Sequence, residues 1–383
     1  MKGLLIVNAF LKNGKFGALY DLLADAARRL EIGLAVQTNA EVVSALCRGA
    51  FQSEDYDFCL FWDKDVQLAA QLEGLGMRLF NSSDAIAACD DKALTYLRLK
   101  PCGIPMPETV IAPKTFSNVG YTDLTFAREI GAQMRYPLIV KECFGSFGMQ
   151  VYWCRDEAEL LERIGKLGGS PFLFQKPVME SLGRDVRVNV VGDRAAAAML
   201  RHSQSGDFRS NLTIGGTMEP HALTREEETL AVRATQALGL DFAGVDLLFG
   251  KDGPVLCEVN SNAHFATTLQ CTGVNMAEEI LRHIHETCRP GKKEKSHENR
   301  LAAVSAGRPV RQSGLCPADA GKRPEAGHED RNGADPRPDA SAGRKRNAFL
   351  SAQGQEGAPG RGHCPDAGAA VQPAFRADGR AGL

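Results

Sequence analysis

Short apolar runs alternate with amphipathic stretches through the first hundred residues. Gly3–Val7, Leu34–Gln37, Asp57–Trp62 and Arg78–Phe80 are strand-like. Between the first two, Phe16, Leu19, Leu22, Leu23, Ala26, Ala27 and Leu30 recur at helical spacing, so 16–30 reads as an amphipathic helix. Strands alternating with helices point to βαβ units around a parallel sheet. Ser82 or Ser83 is available to cap the next helix, and a second helix is expected from Asp91 to Leu99, ending before Pro101 and Gly103. Strand-like Val110–Ala112, Pro137–Cys143, Met149–Cys154, Phe172–Gln175 and Asp185–Val191 follow. Asp156, with Glu159 three residues on, suggests a capping box opening a helix through Leu167. A further helix is expected after Thr224, through Leu238.

The pattern changes at Gly244–Phe249 and Val255–Asn260, two apolar runs separated by a Lys-Asp-Gly-Pro turn that reads as a β-hairpin. Side chains alternate faces along a strand, so Glu258 and Asn260 point the same way and Cys257 is expected to face the core. Closing the hairpin around Asp252 sets Asp246 opposite Glu258. Opposed like charges are unfavourable there unless a cation lies between them, and oxygen donors in that arrangement suit Mg²⁺. A surface hairpin whose acids face water is the competing reading.

Composition narrows the classes. The chain has 383 residues, enough for two or three domains, with 44% hydrophobic residues and a net charge of −2. That balance gives no case for nucleic acid or a membrane surface as partner. No apolar run approaches the roughly 20 residues that span a bilayer, and the N-terminal run is short for a signal peptide. Eleven cysteines without a Cys-x-x-Cys pair point to reduced, buried thiols in a cytoplasmic protein. Beyond about Pro290, Gly, Ala, Pro, Arg and Asp dominate and apolar periodicity is lost, so a disordered tail is expected over 290–383. Gly14-Lys15 lacks the flanking residues of a Walker A loop.

Several polar features remain to be accounted for. Lys141 ends an apolar strand and Gly145-Ser146-Phe147-Gly148 follows within one hairpin turn. Glycines permit close approach of backbone N–H groups to phosphate oxygens, and a strand lysine supplies a point charge to them. Further along are Gly183-Arg-Asp185-Val-Arg187 and Arg209-Ser210-Asn211, with Asp91-Lys92 upstream.

In this order the motifs resemble the ATP-grasp superfamily, specifically the RimK-like α-L-glutamate ligases, over roughly residues 80–285. The resemblance implies an α/β fold: a Rossmann-like parallel-sheet domain over 1–100, then two α+β ATP-grasp subdomains over 101–180 and 181–289. It implies ATP held by Lys92, Lys141, Gly145, Ser146, Gly148, Gln175, Lys176, Val178, Asp185, Arg209, Ser210 and Asn211. It assigns two Mg²⁺ or Mn²⁺ ions to Asp246, Glu258 and Asn260, and catalytic roles to Lys141, Arg187 and Arg209. The implied reaction joins a small-molecule or peptide carboxylate to an amine through an acyl phosphate, with glutamate addition as one form. The chain departs from the family pattern at Lys176, where a glutamate is usual, at Met149-Gln150, and at Ser261–Phe265. A D-alanine–D-alanine-like ligase, a peptide-modifying ligase and a non-catalytic nucleotide-binding protein are the alternatives, and a homo-oligomer is possible for each. Outside these motifs, His264 stands as a substrate-binding residue, a base or a structural histidine. His283, His285 and Cys288 have the wrong helical spacing for a shared metal.

Overall fold

The computed structural model describes residues 1–11, 14–145, 148–204, 206–210 and 216–289, apart from the Lys15 side chain. The expectations for Ser146, Asn211 and the 290–383 tail fall outside these residues.

The N-terminal sheet is wholly parallel, in the order β2-β1-β3-β4. Its strands are β1 (Lys2–Val7), β2 (Gly33–Thr38), β3 (Phe58–Trp62) and β4 (Leu79–Phe80), linked by helices α1 (Gly14–Arg29), α2 (Asn39–Cys47) and α3 (Val66–Gly74). Both faces of β1 are covered, which is why its sequence is a continuous apolar run. Leu5 and Val7 pack with Leu19 and Leu23, whereas Leu4 and Ile6 pack with Leu68 and Leu72. After β4 come α4 (Ser83–Asp90), capped by Ser82, and α5 (Lys92–Leu99), capped by Asp91.

The middle sheet is antiparallel, in the order β5-β8-β6-β7, from β5 (Thr109–Ile111), β6 (Leu138–Glu142), β7 (Val151–Cys154) and β8 (Phe172–Gln175). Helices α6 (Thr125–Met134) and α7 (Glu157–Lys166) bury one face over Leu138, Val140, Phe172 and Phe174. The opposite face is left to Ile139 and Lys141. Asp156 does cap α7, but Glu159 bonds to the Arg155 N–H at 2.8 Å, so the expected capping box is replaced by a longer reach.

The large sheet runs β11-β10-β9-β12-β13. Its strands are β9 (Arg184–Val191), β10 (Arg194–His202), β11 (Thr217–Pro220), β12 (Phe242–Gly250) and β13 (Gly253–Asn260). Helix α8 (Arg225–Ala237) covers one face over Val186, Val188, Val190 and Val245. Helix α9 (Ala266–Thr272) contacts the other, where Asn189 bonds to Thr268 at 3.1 Å. Finally α10 (Met276–Cys288) returns to the N-terminal sheet, placing Ile280, Leu281 and Ile284 with Leu19 and Leu23. Strand β10 was not legible in the sequence, because Ala195–Ala198 carries no strand preference. Pairing with β9 along its whole length overrides that weak propensity.

Asn81 joins the two sheets and is fully buried. Its amide donates to the carbonyls of Phe242 (3.0 Å) and Ser261 (3.1 Å). Its oxygen accepts from the N–H groups of Asp241 (2.7 Å) and Phe242 (3.3 Å). Every hydrogen-bonding capacity of the side chain is used.

Candidate active site

A cavity lies between the open face of the middle sheet and the polar face of the large sheet, and most of the expected nucleotide-site residues line it. They are Lys92, Lys141, Gly145, Gly148, Gln175, Lys176, Val178, Asp185, Arg209, Ser210, Asp246 and Glu258. One part of the lining is apolar, with Ile139, Val151, Val178, Leu182 and Leu248. Its charged groups are five cations (Lys92, Lys141, Lys176, Arg184, Arg209) against three carboxylates (Asp185, Asp246, Glu258), an excess that suits an anionic ligand.

The hairpin places Asp246 opposite Glu258 as expected, but by a different route. Gly250 pairs with Gly253 and Leu247 with Leu256, a register that would set Asp246 against Cys257. A β-bulge between Asp246 and Leu247 inserts one extra residue on β13 and moves Glu258 into place. The bulge also corrects the expectation for Cys257. Its thiol lines the cavity, 3.8 Å from the Lys141 ammonium, rather than packing into the core. Burial pushes that thiol up to about 11, although the Lys141 charge works the other way.

Strand register writes a charge network across the large sheet. Asp185 and Arg187 share a face of β9; Arg201 of β10 pairs with the first, and Asp246 of β12 with the second. Arg187 grips both Asp246 oxygens, Nη2 to Oδ2 at 2.9 Å. Arg201 holds Asp185 through Nε (2.7 Å) and Nη2 (2.6 Å), and reaches across β9 to Asp246 at 2.9 Å. Burial by itself would raise the Asp246 pKa, but the two guanidiniums outweigh it and hold the carboxylate below its ordinary value. Gly244 is required beside this network. A Cβ there would sit 2.4 Å from the Ala263 Cβ and 3.2 Å from Arg187 Nη1.

Glu258 lies 3.5 Å from the Lys92 ammonium, which also donates to the Gly145 carbonyl at 3.3 Å. Arg209 is paired with Asp207 at 2.8 Å and donates to the Gly148 carbonyl at 2.7 Å. Both cations thus engage the glycine loop, whose Gly148 has φ +72°, a conformation that favours glycine. Gln175 donates to Thr109 at 3.0 Å. The Lys176 N–H donates to the Glu108 carbonyl at 2.9 Å and its ammonium to the Arg135 carbonyl at 2.8 Å.

Two expected residues stand apart from the cavity lining. Arg187 is committed to Asp246, and Asn260 donates from Nδ2 to the Gly244 carbonyl at 3.4 Å. His264 makes an edge contact with Phe16, ring centroids 6.3 Å apart. Arg201 was not anticipated. It sits beyond an alanine run that carries no signal, and only its register with Asp185 reveals its role.

The matches with known proteins agree with this geometry. Residues 89–284 match the RimK-like ATP-grasp domain. An uncharacterized protein of Mycoplasma pneumoniae is 35% identical over 270 residues, covering 69% of this chain and 92% of that protein. N-acetylaspartylglutamate synthase A of Homo sapiens is 38% identical over 205 residues, 53% of this chain and 51% of its own length, so the chain spans about half of that relative. The D-alanine–D-alanine ligase of Bacillus anthracis, solved in complex with ATP, superposes with a TM-score of 0.59 at 16% identity, over 77% of this chain and 98% of that one, a likeness of fold. On the extent of the domain match and the shared architecture, the chain belongs to the RimK-like ATP-grasp family of ligases.

Proposed function

We propose that the chain uses ATP to join a carboxylate to an amine, with an amino acid of the glutamate type as the amine substrate. The observation that carries this reading is the single cavity in which Lys92, Lys141 and Arg209 converge with the opposed Asp246 and Glu258. Lys92, Lys141, Asp185, Arg209 and Ser210 serve the phosphates and ribose; the apolar lining around Ile139, Val178 and Leu248 takes the base. The glutamate assignment draws on the name of the human relative.

In this scheme a carboxylate oxygen attacks the γ-phosphorus of ATP, forming an acyl phosphate and releasing ADP. The amine then attacks the acyl carbon, the carbon–oxygen bond to phosphate breaks, and amide and inorganic phosphate leave. No protein nucleophile is needed. The protein neutralises charge and aligns the reacting atoms. Lys141 is suited to this work because it is buried to 8% exposure and spans the two sheets toward Cys257. Arg187 and Arg201 fix the Asp246 carboxylate in one orientation.

Asp246, Glu258 and Asn260 are the residues that would hold Mg²⁺ or Mn²⁺. Two carboxylates and an amide oxygen are hard donors of the right kind, and the Asn260 amide turns its N–H group to Gly244, leaving its oxygen for another partner. When bound, such ions supply positive charge to the transferring phosphate.

Glu258→Gln tests the reading. It is expected to abolish phosphate release with carboxylate and amine present while leaving thermal stability near that of the parent. Undiminished ATP consumption would refute it. Stabilisation by ATP and Mg²⁺ without phosphate release over a panel of amino acids would favour the non-catalytic alternative. Mass spectrometry of products formed from ATP and cell extract identifies the substrates.

A further inference from the structure

The N-terminal sheet carries a polar group that the nucleotide cavity leaves unused. Its strand order reverses between β1 and β3. In open parallel sheets, ligands lie outside the carboxyl ends of the strands at such a reversal. Here β1 and β3 end in register at Val7 and Trp62, and the next residues are Asn8 and Asp63.

Asp63 is 8% exposed. One Asn8 amide nitrogen is shared between its oxygens, at 3.1 Å to Oδ1 and 3.2 Å to Oδ2, and the Lys64 N–H donates to Oδ1 at 2.8 Å. Among the described residues no lysine, arginine or histidine forms an ion pair with this carboxylate; the neighbouring Lys64 ammonium reaches Asp90 instead, at 2.6 Å. Burial raises the Asp63 pKa, hydrogen bonds from Lys64 N–H and Asn8 oppose the rise, and the nearby Asp65 adds to it. A buried carboxylate without a counter-charge is costly, and an asparagine would accept the same backbone bond at less expense.

A second acceptor comes from the loop after β13, held against Asp63 through the Asp63 backbone. Asn262, in the loop leaving β13, donates from Nδ2 to the Asp63 carbonyl at 2.7 Å. That bond fixes the amide orientation, and its Oδ1 is buried with no hydrogen-bond partner among the described residues. A carboxylate oxygen with only a shared bond and an unpaired amide oxygen are acceptors for a group with several N–H donors and a positive charge. The loop that supplies Asn262 begins after Asn260, so this group adjoins the end of the hairpin.

We propose that Asp63, with Asn8 and Asn262, is the subsite for the ammonium group of an amino-acid substrate. This rests on the ligase reading above. The ammonium belongs either to the substrate that provides the amine or to an amino acid that provides the carboxylate.

The experiment uses the full chain, with L-glutamate and N-acetyl-L-glutamate as probes and saturation-transfer NMR as readout. L-glutamate is expected to bind and its N-acetyl derivative, which lacks the ammonium, to fail. Asp63→Asn is expected to weaken L-glutamate binding by roughly ten- to a hundred-fold, the worth of one charged hydrogen bond, while ATP-induced thermal stabilisation is unchanged. If Asp63→Asn does not fold, Asn262→Ala keeps the carboxylate and is expected to weaken binding several-fold. Steady-state assays separate the sources. A KM increase confined to the amine substrate, or one confined to the carboxylate substrate, supports the subsite and names its occupant. Equal binding of the two probes, failure of the parent to bind L-glutamate, or parent-like binding by the folded variant overturns it. A failed ligase reading looks different: the parent then releases no phosphate with any substrate pair, while the binding measurements still decide the role of Asp63.

Discussion

Removing the Arg201 guanidinium tests how the charged floor of the cavity is held. Asp185, Asp246, Arg187 and Arg201 form a neutral set of two carboxylates and two guanidiniums, with side-chain exposures of 9, 8, 11 and 7%. Arg201→Met keeps an apolar stem but deletes three contacts of 2.6–2.9 Å. Asp185 then loses its cation, and Asp246 retains only Arg187. Breaking a buried ion pair from one side costs about 3–5 kcal/mol, because the remaining charge stays desolvated. The double variant Arg201→Met/Asp185→Asn removes that stranded charge, and a coupling of roughly 2 kcal/mol is expected between the two positions. Urea unfolding without divalent ions measures both quantities. Trp62 is a suitable reporter, stacked on Phe242 with ring centroids 5.6 Å apart and thereby sensitive to both sheets. A single variant within about 1 kcal/mol of the parent would refute the reasoning, as would a double variant no more stable than the single, since surface-like pairs behave in that way.

Three other expectations are open to direct measurement. Asn81→Ala strands two carbonyls and two N–H groups in the interface between sheets, so a loss of about 3 kcal/mol or more is expected, visible as a drop of roughly 6–10 °C in Tm. Gly244→Ala introduces a methyl 2.4 Å from the Ala263 Cβ and should cost about 1–3 kcal/mol; unchanged stability would show that the β12–β13 end yields easily. Iodoacetamide at pH 8 should label exposed Cys47 and Cys102 well before Cys89, whose thiol burial pushes up to about 12. The linked stability has a definite sign. Cys89 binds its proton more tightly when folded, so that contribution is complete below the ordinary thiol value of 9.0 and is lost as pH rises toward about 12. Peptide mass spectrometry at pH 8 reads the order of labelling.

Much of the local architecture was legible in the residues. The helix over α1 followed from apolar spacing, the parallel strands from runs buried on both faces, and the cap at Ser82 from a polar residue before a helical stretch. The β12–β13 hairpin announced itself through its turn, and the acids on it through their incongruity in apolar runs. What escaped was non-local. Cys257 reads like any strand thiol, and nothing in its neighbours signals the bulge that turns it toward Lys141. Arg201 follows a run of alanines that favours helix as readily as strand, so its meeting with Asp185 and Asp246 depends on pairing with β9. Asn81 resembles a helix-flanking residue, and its four partners lie 160 or more positions away.

The order of residues determined which segments become strands and helices and which residue types are present to bind phosphate and divalent ions. Those properties arise from spacing within a few residues. Tertiary structure decided which charges neutralise one another, which side of β13 faces the cavity, and where a buried carboxylate is left without a cation. These depend on strand register and on groups brought together from distant parts of the chain, and a one-residue shift in pairing reverses the face on which each side chain lies.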